Sequence, residues 1–218
     1  MASAVDICNE ALSHLGDGAT VSSIEPPEGS AQAEHCARFY PSALASLLEM
    51  HPWSFATRRA ALAQLNSSTV AALTTWSYAY AVPSGTVNLI SILAPDAVDD
   101  YSSASQNSSS GGAYTPQKFA LETSDQGDEI LLTNQVNAVA RYTILITDPT
   151  KFSPMFKEAL GWFLASKLAG PVLMGAAGRA AATTCMQTAM MWFAKATDSD
   201  ASSRKVDLVH RVSWLNAR

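Results

Sequence analysis

Cys8, His14, His35 and Cys36 form the one Cys/His grouping in this sequence, and metal ligation is the chemistry such side chains would perform. A zinc site needs four ligands at recognisable spacing. His35 and Cys36 are adjacent, so on a helix their side chains diverge by roughly 100°. Cys8 and Cys36 read instead as small apolar residues packed between two antiparallel helices. The run Gly170-Pro171-Val172-Leu173-Met174-Gly175 spaces its glycines like a phosphate loop. It lacks the Lys-Ser/Thr pair that would hold phosphate and magnesium, and reads as a helix–helix turn. There is no Gly-x-Ser-x-Gly elbow for a nucleophilic serine. Asp96, Asp99 and Asp100 stand in a polar run and read as solvated groups rather than calcium ligands. Glu122, Asp125, Asp128 and Glu129 flank a hairpin, where polar residues are expected in any case. With no clustered acid–base pair, the chain is expected not to be an enzyme and to carry no catalytic residue, cofactor or metal.

The bulk numbers narrow the classes further. A chain of 218 residues with 48% hydrophobic and 15% charged residues can bury a substantial core. Its net charge is −5, and beyond Arg58-Arg59 it has no basic cluster of the kind that grips phosphates. An acidic balance is compatible with DNA passing by without sticking. Three cysteines, an odd count without framework spacing, imply a reducing folding environment. No stretch approaches about 18 uninterrupted apolar residues, so no membrane span is expected. The start of the chain lacks a basic region followed by an apolar one, so no signal peptide is expected and folding is placed in the cytoplasm. Seven Met and five Trp exceed what a simple scaffold needs, which suggests subunit contacts.

The elements that would position these groups fall in a helix–sheet–helix order. Ser3 caps a first helix through Leu15, with Ala4, Cys8, Ala11, Leu12 and Leu15 on one face and Gly16 ending it. A second helix starts between Glu28 and Ala31 and reaches Met50. Its apolar stripe is Cys36, Tyr40, Ala43, Leu44 and Leu47, and Pro41 predicts a kink or break after Tyr40. Pro52 forbids further helix. Strands are expected at residues 54–65, 76–81, 87–93, 119–122, 129–133 and 138–146, with a hairpin at Asp125-Gln126-Gly127-Asp128. Residues 95–116 are Ser/Gly-rich and too polar to order themselves. Ser153-Pro154 opens a third helix, with Phe156, Ala159, Leu160, Phe163, Leu164 and Leu168 on its apolar face, ended by Gly170-Pro171. A last helix spans residues 176–197, with Cys185, Met186, Ala189, Met190 and Phe193 inward.

The predicted fold class is therefore α+β. A helical bundle from residues 1–52 and 151–197 packs with a central antiparallel sheet or small sandwich from residues 53–150, followed by a tail at 198–218. The aromatic run around the helix-to-sheet junction, Trp53, Phe55, Trp76, Tyr78 and Tyr80, is expected to pin the helices to the sheet.

Four segments in combination resemble the head-to-tail adaptor (connector) family of short-tailed bacteriophages, the tail tubular protein A-like proteins. They are Ile7-Cys8-Asn9-Glu10-Ala11-Leu12 with Leu15-Gly16; Cys36-Ala37-Arg38-Phe39-Tyr40-Pro41 leading to Pro52-Trp53-Ser54-Phe55-Ala56; Trp76-Ser77-Tyr78-Ala79-Tyr80-Ala81-Val82-Pro83 with Val87 and Ile90; and Arg141-Tyr142-Thr143 with Asp148-Pro149-Thr150-Lys151-Phe152 and the helix from Phe156 to Leu160. The likeness runs from about Ala4 to Leu173. Pro83-Ser84-Gly85-Thr86 departs from the family, which more often has an acidic residue and a Cys after the Pro-Ser step. The resemblance implies a virion protein forming a homo-oligomeric ring, usually of twelve copies, at the head–tail junction. Such a ring sits below the portal protein, extends the channel through which viral DNA passes without sequence-specific binding, and receives the downstream tail or nozzle protein.

Two contact surfaces are expected on that basis. Val206, Val209, Arg211, Trp214 and Leu215 in the tail are candidates for the portal or a neighbouring subunit, with Trp214 as an apolar anchor. Tyr101, Asn107 and Tyr114 in the polar run are candidates for the downstream tail protein. The alternative from another class is a glycan- or receptor-binding tail module, since Trp and Tyr exposed on a sheet can stack on sugars.

Overall fold

The computed structural model describes residues 3–65, 75–95, 117–124 and 126–203. Within them the chain is α+β: four long helices and two three-stranded antiparallel sheets. The residues divide into two compact units, one from Met1–Ala56 with Leu145–Arg204 and one containing Thr57–Ile144. The helical unit thus takes in Trp53 to Ala56, and the predicted boundaries at 52/53 and 150/151 move to 56/57 and 144/145.

In the helical unit, α1 (Ala4–His14) begins with a capping box in which Ser3 accepts from the Asp6 N–H and the Asp6 carboxylate accepts from the Ser3 N–H. Helix α2 (Ala31–Glu49) is capped by Ser30, and α3 (Pro154–Leu173) by Ser153 with Pro154 at the first helical position. Helix α4 runs Gly175–Ser202. The buried faces are Ile7, Cys8, Ala11 and Leu12 on α1, Cys36, Tyr40, Ala43, Leu44, Leu47 and Leu48 on α2, and Phe156, Ala159, Leu160, Phe163, Leu164 and Leu168 on α3.

Several helix predictions are corrected. Pro41 does not break α2, which continues to Glu49. A proline inside a helix costs about 3 kcal/mol, less than the burial of Tyr40, Leu44, Leu47 and Leu48 around it contributes. Gly170-Pro171 does not end α3 either, because Pro171 stands in the last turn and the Met174 N–H still donates to the Gly170 carbonyl at 3.0 Å. The break falls at Met174, whose φ of 54° and ψ of 168° lie in a region that suits glycine. Helix α4 extends five residues past the predicted end at Thr197, to Ser202. On α4, Cys185 and Ala189 are buried as predicted, but Met186 is exposed.

Helices α3 and α4 come close together beside this turn. A Cβ on Gly178 would lie 2.7 Å from the Ala169 carbonyl oxygen and 3.4 Å from the Gly170 Cα. The glycine is required by the proximity of two backbones.

In the β unit, one sheet has the order β1-β6-β3, from Thr57–Ala61, Val139–Ile144 and Thr86–Leu93. The other has the order β2-β5-β4, from Tyr78–Ala81, Glu129–Thr133 and Phe119–Thr123. The predicted strand at 54–65 is corrected at its start: Ser54–Ala56 is a 3-10 turn. The extended part then serves both sheets. Thr57 to Ala61 pair with β6, the Leu62 N–H reaches the Ala138 carbonyl, and Gln64 bridges to Tyr80. One core joins the two sheets, with Tyr80, Ile92, Leu131, Ala138, Ala140 and Tyr142 buried together. The Tyr80 hydroxyl donates to the Gln135 carbonyl at 2.8 Å, so its polar tip is satisfied. Arg58 and Arg59 are exposed on the edge strand β1, where charge discourages pairing with another chain.

Two stability outcomes follow from the α3–α4 turn. Gly178→Ala should lower stability by about 1–3 kcal/mol through overpacking against the Ala169 backbone. Met174→Gly should raise it by about 1 kcal/mol, because the positive-φ strain is relieved and the side chain is already 71% exposed. Chemical denaturation of both variants checks the signs; a stable Gly178→Ala variant would show that the helices can part without loss.

Candidate functional site

The residues predicted to meet partners, Val206, Val209, Arg211, Trp214 and Leu215 in the tail and Tyr101, Asn107 and Tyr114 in the polar run, lie outside the described residues. The five junction aromatics divide between the units. Trp53 and Phe55 belong to the helical unit, and Trp76, Tyr78 and Tyr80 to the β unit. Trp76 packs against the Ala79, Ile130 and Leu132 cluster, and Tyr78 against the Tyr80 cluster, so both rings are partly covered.

Trp53 is fully buried. Its indole N–H donates to the Leu47 carbonyl at 2.9 Å, and its ring meets Phe55, Phe156 and Phe193 at centroid distances of 5.8, 4.9 and 5.8 Å. Beside it, the Asp200 carboxylate near the end of α4 accepts from the Ser54 N–H at 3.0 Å and from the Ser54 hydroxyl. The same carboxylate lies 3.2 Å from His51 Nε2. This polar latch explains why residues 54–56 turn instead of extending. It also shows that Asp200, predicted to belong to a tail starting at 198, is part of the helical unit.

The helical unit also exposes large apolar side chains. Leu173 and Met174 are exposed at the α3–α4 turn, and Met186 and Met191 along α4. Met50 and Met155 are exposed at helix ends. Methionine predominates, and its flexible thioether adapts to irregular partner surfaces.

Of the four Cys/His residues in the sequence grouping, the fold keeps only the cysteines together. Cys8 and Cys36 are both fully buried and lie side by side. The Cys36 neighbour and burial push the Cys8 thiol well up. Burial pushes the Tyr40 phenol up to about 12.

His14 keeps different company. Together with Glu10, one helical turn earlier on α1, and Glu158 of α3, it forms a half-buried triad whose ligand atoms all lie within 4.8 Å of one another. The His14 ring stacks on Trp162 at 3.7 Å and 8°. Its Nε2 is buried and has no hydrogen-bond partner. The Glu10 carboxyl lies over Gly161, where a Cβ would sit 3.7 Å from Glu10 Cδ. Burial raises the Glu10 carboxyl above its ordinary range, and the facing Glu158 charge raises it further. Burial lowers His14, with Glu158 opposing. Two i, i+4 pairs, Glu10/His14 and Glu158/Trp162, therefore interlock across α1 and α3. The Glu10-x-x-x-His14 spacing was readable in the sequence; the arrival of Glu158 was not.

Among the described residues no helix is long and apolar enough to cross a membrane. Comparison with protein-family models and with curated proteins finds no match for the chain.

The raised Glu10 fixes a sign for pH dependence. Its protonated form is favoured by folding, so its contribution is fully present below the unfolded carboxyl value and is lost as pH rises through the higher folded value. In the presence of a chelator, Glu10→Gln should therefore raise the melting temperature at pH 7–8 and change it little near pH 4. Melting curves of both proteins across this range provide the check; an equal effect at both ends would remove the ionisation account.

Proposed function

We propose that this chain is a structural virion protein, a head-to-tail adaptor. It assembles as a homo-oligomeric ring below a phage portal protein, extends the DNA channel and receives the downstream tail or nozzle protein. The observation that carries this reading is the exposed apolar set on the helical unit, Leu173, Met174, Met186 and Met191. Large apolar side chains left in solvent are candidates for burial against another protein surface. The four family-like segments supply the identity of the assembly, and the net charge of −5 suits a lumen that DNA must traverse without adhering. In this reading the chain has no enzymatic role, and its site of action is the head–tail junction after assembly in the host cytoplasm.

The experiment mixes the full chain with portal protein and images the product by negative-stain electron microscopy. Rings stacked on portals are expected. The double variant Met174→Lys, Met191→Lys should keep the far-ultraviolet circular dichroism of the parent and lose ring formation at the same concentration. Truncation after Ser203 should preserve the helical unit and abolish portal attachment; cutting at Asp198 instead would also remove the Asp200 latch. A parent chain that stays monomeric with portal present, or that binds glycans as an isolated monomer, overturns the adaptor reading.

A further inference from the structure

We propose that Glu10, His14 and Glu158 form a binding site for a divalent transition-metal ion of the zinc class, fastening α1 to α3 within the helical unit. Three observations converge on it. Two carboxylates and an imidazole, the donor set that suits zinc and its neighbours, bring their ligand atoms within 4.8 Å of one another. The His14 Nε2 is buried without a hydrogen-bond partner, which is a costly state for an imidazole nitrogen unless something else uses its lone pair. The two carboxylates face each other without compensation: among the described residues neither has a salt-bridge partner. A dication would remove all three penalties at once.

The geometry needs little adjustment. Ligands at about 2.0–2.2 Å from a shared ion lie roughly 3.4 Å apart in tetrahedral coordination, so ligand atoms that lie within 4.8 Å of one another must contract by at most about 1.4 Å. Glu side chains reach that by rotation alone. Gly161 leaves the Glu10 carboxyl room over α3, since no side chain there competes for the space. Stacking on Trp162 fixes the plane of the imidazole, the orienting role usually filled by a hydrogen bond to the other ring nitrogen. The three residues leave the fourth position to water. The lowered His14 favours the neutral imidazole that ligation requires.

The test is calorimetric titration of the full chain with zinc chloride at pH 7, with magnesium chloride as the hard-ion control. One zinc per chain is expected, with magnesium at least 100-fold weaker. His14→Gln and Glu158→Gln should each weaken zinc at least 10-fold while leaving the far-ultraviolet circular dichroism intact. Zinc should raise the melting temperature of the parent and of neither variant. Because the two substitutions lie on different helices, either one reads the site if the other fails to fold. Absence of zinc binding by the parent overturns the proposal, as does binding that both variants retain, which would place the ion elsewhere on the chain.

Discussion

Burial of Trp53 is the constraint on which the helical unit depends. Leu47 at the end of α2, Phe156 on α3 and Phe193 on α4 all meet this one indole. Removing a buried Trp costs about 3–5 kcal/mol, a large fraction of the roughly 5–15 kcal/mol by which a domain is stable. Its position in the sequence matters as much as its size. Trp53 comes just after Pro52 has stopped α2 and just before the chain leaves for the β unit. The Asp200 carboxylate then fixes Ser54, the next residue, from a position near the far end of α4. The first and last parts of the helical unit are thereby joined at the exit point, across a sequence separation of 146 residues.

Features whose cause is local were legible in the sequence. Ser3 and Ser153 cap the helices they precede, because a side-chain oxygen two or three residues from an orphan N–H needs no tertiary help. The alternation that predicted strands at 76–81, 87–93 and 129–133 also survives, to within two residues at each end. Errors arose where distant contacts overrule propensity. Pro41 is carried through α2 by the burial of its neighbours, and Ser54 is held in a turn by Asp200. The cluster on α1 was half legible. Residue type alone groups His14 with the cysteines, whereas helical geometry groups it with Glu10, and only packing against α3 brings in Glu158.

The helical unit therefore contains two kinds of buried polarity. At the Asp200 latch, donors and acceptors match, and the chain path is the outcome. At the triad they do not, since two acceptors face each other beside an unpaired imidazole nitrogen. The aromatic core tolerates the second because the groups are only half-buried and Glu10 can keep a proton. Such a site stores unfavourable free energy that a bound cation or proton releases, and the surrounding helices need not move for this to occur.

The register of β1 with β6 sets how the chain enters and leaves the β unit. Thr57 lies opposite Thr143, so the strand that opens the β unit and the strand that closes it are immediate neighbours. Paired residues in antiparallel strands are about 5 Å apart. The helical unit is thus interrupted by a cassette whose two ends nearly touch, and a single short loop would span the gap. Sequence and length between these ends can be exchanged wholesale without demanding a new path for the helices.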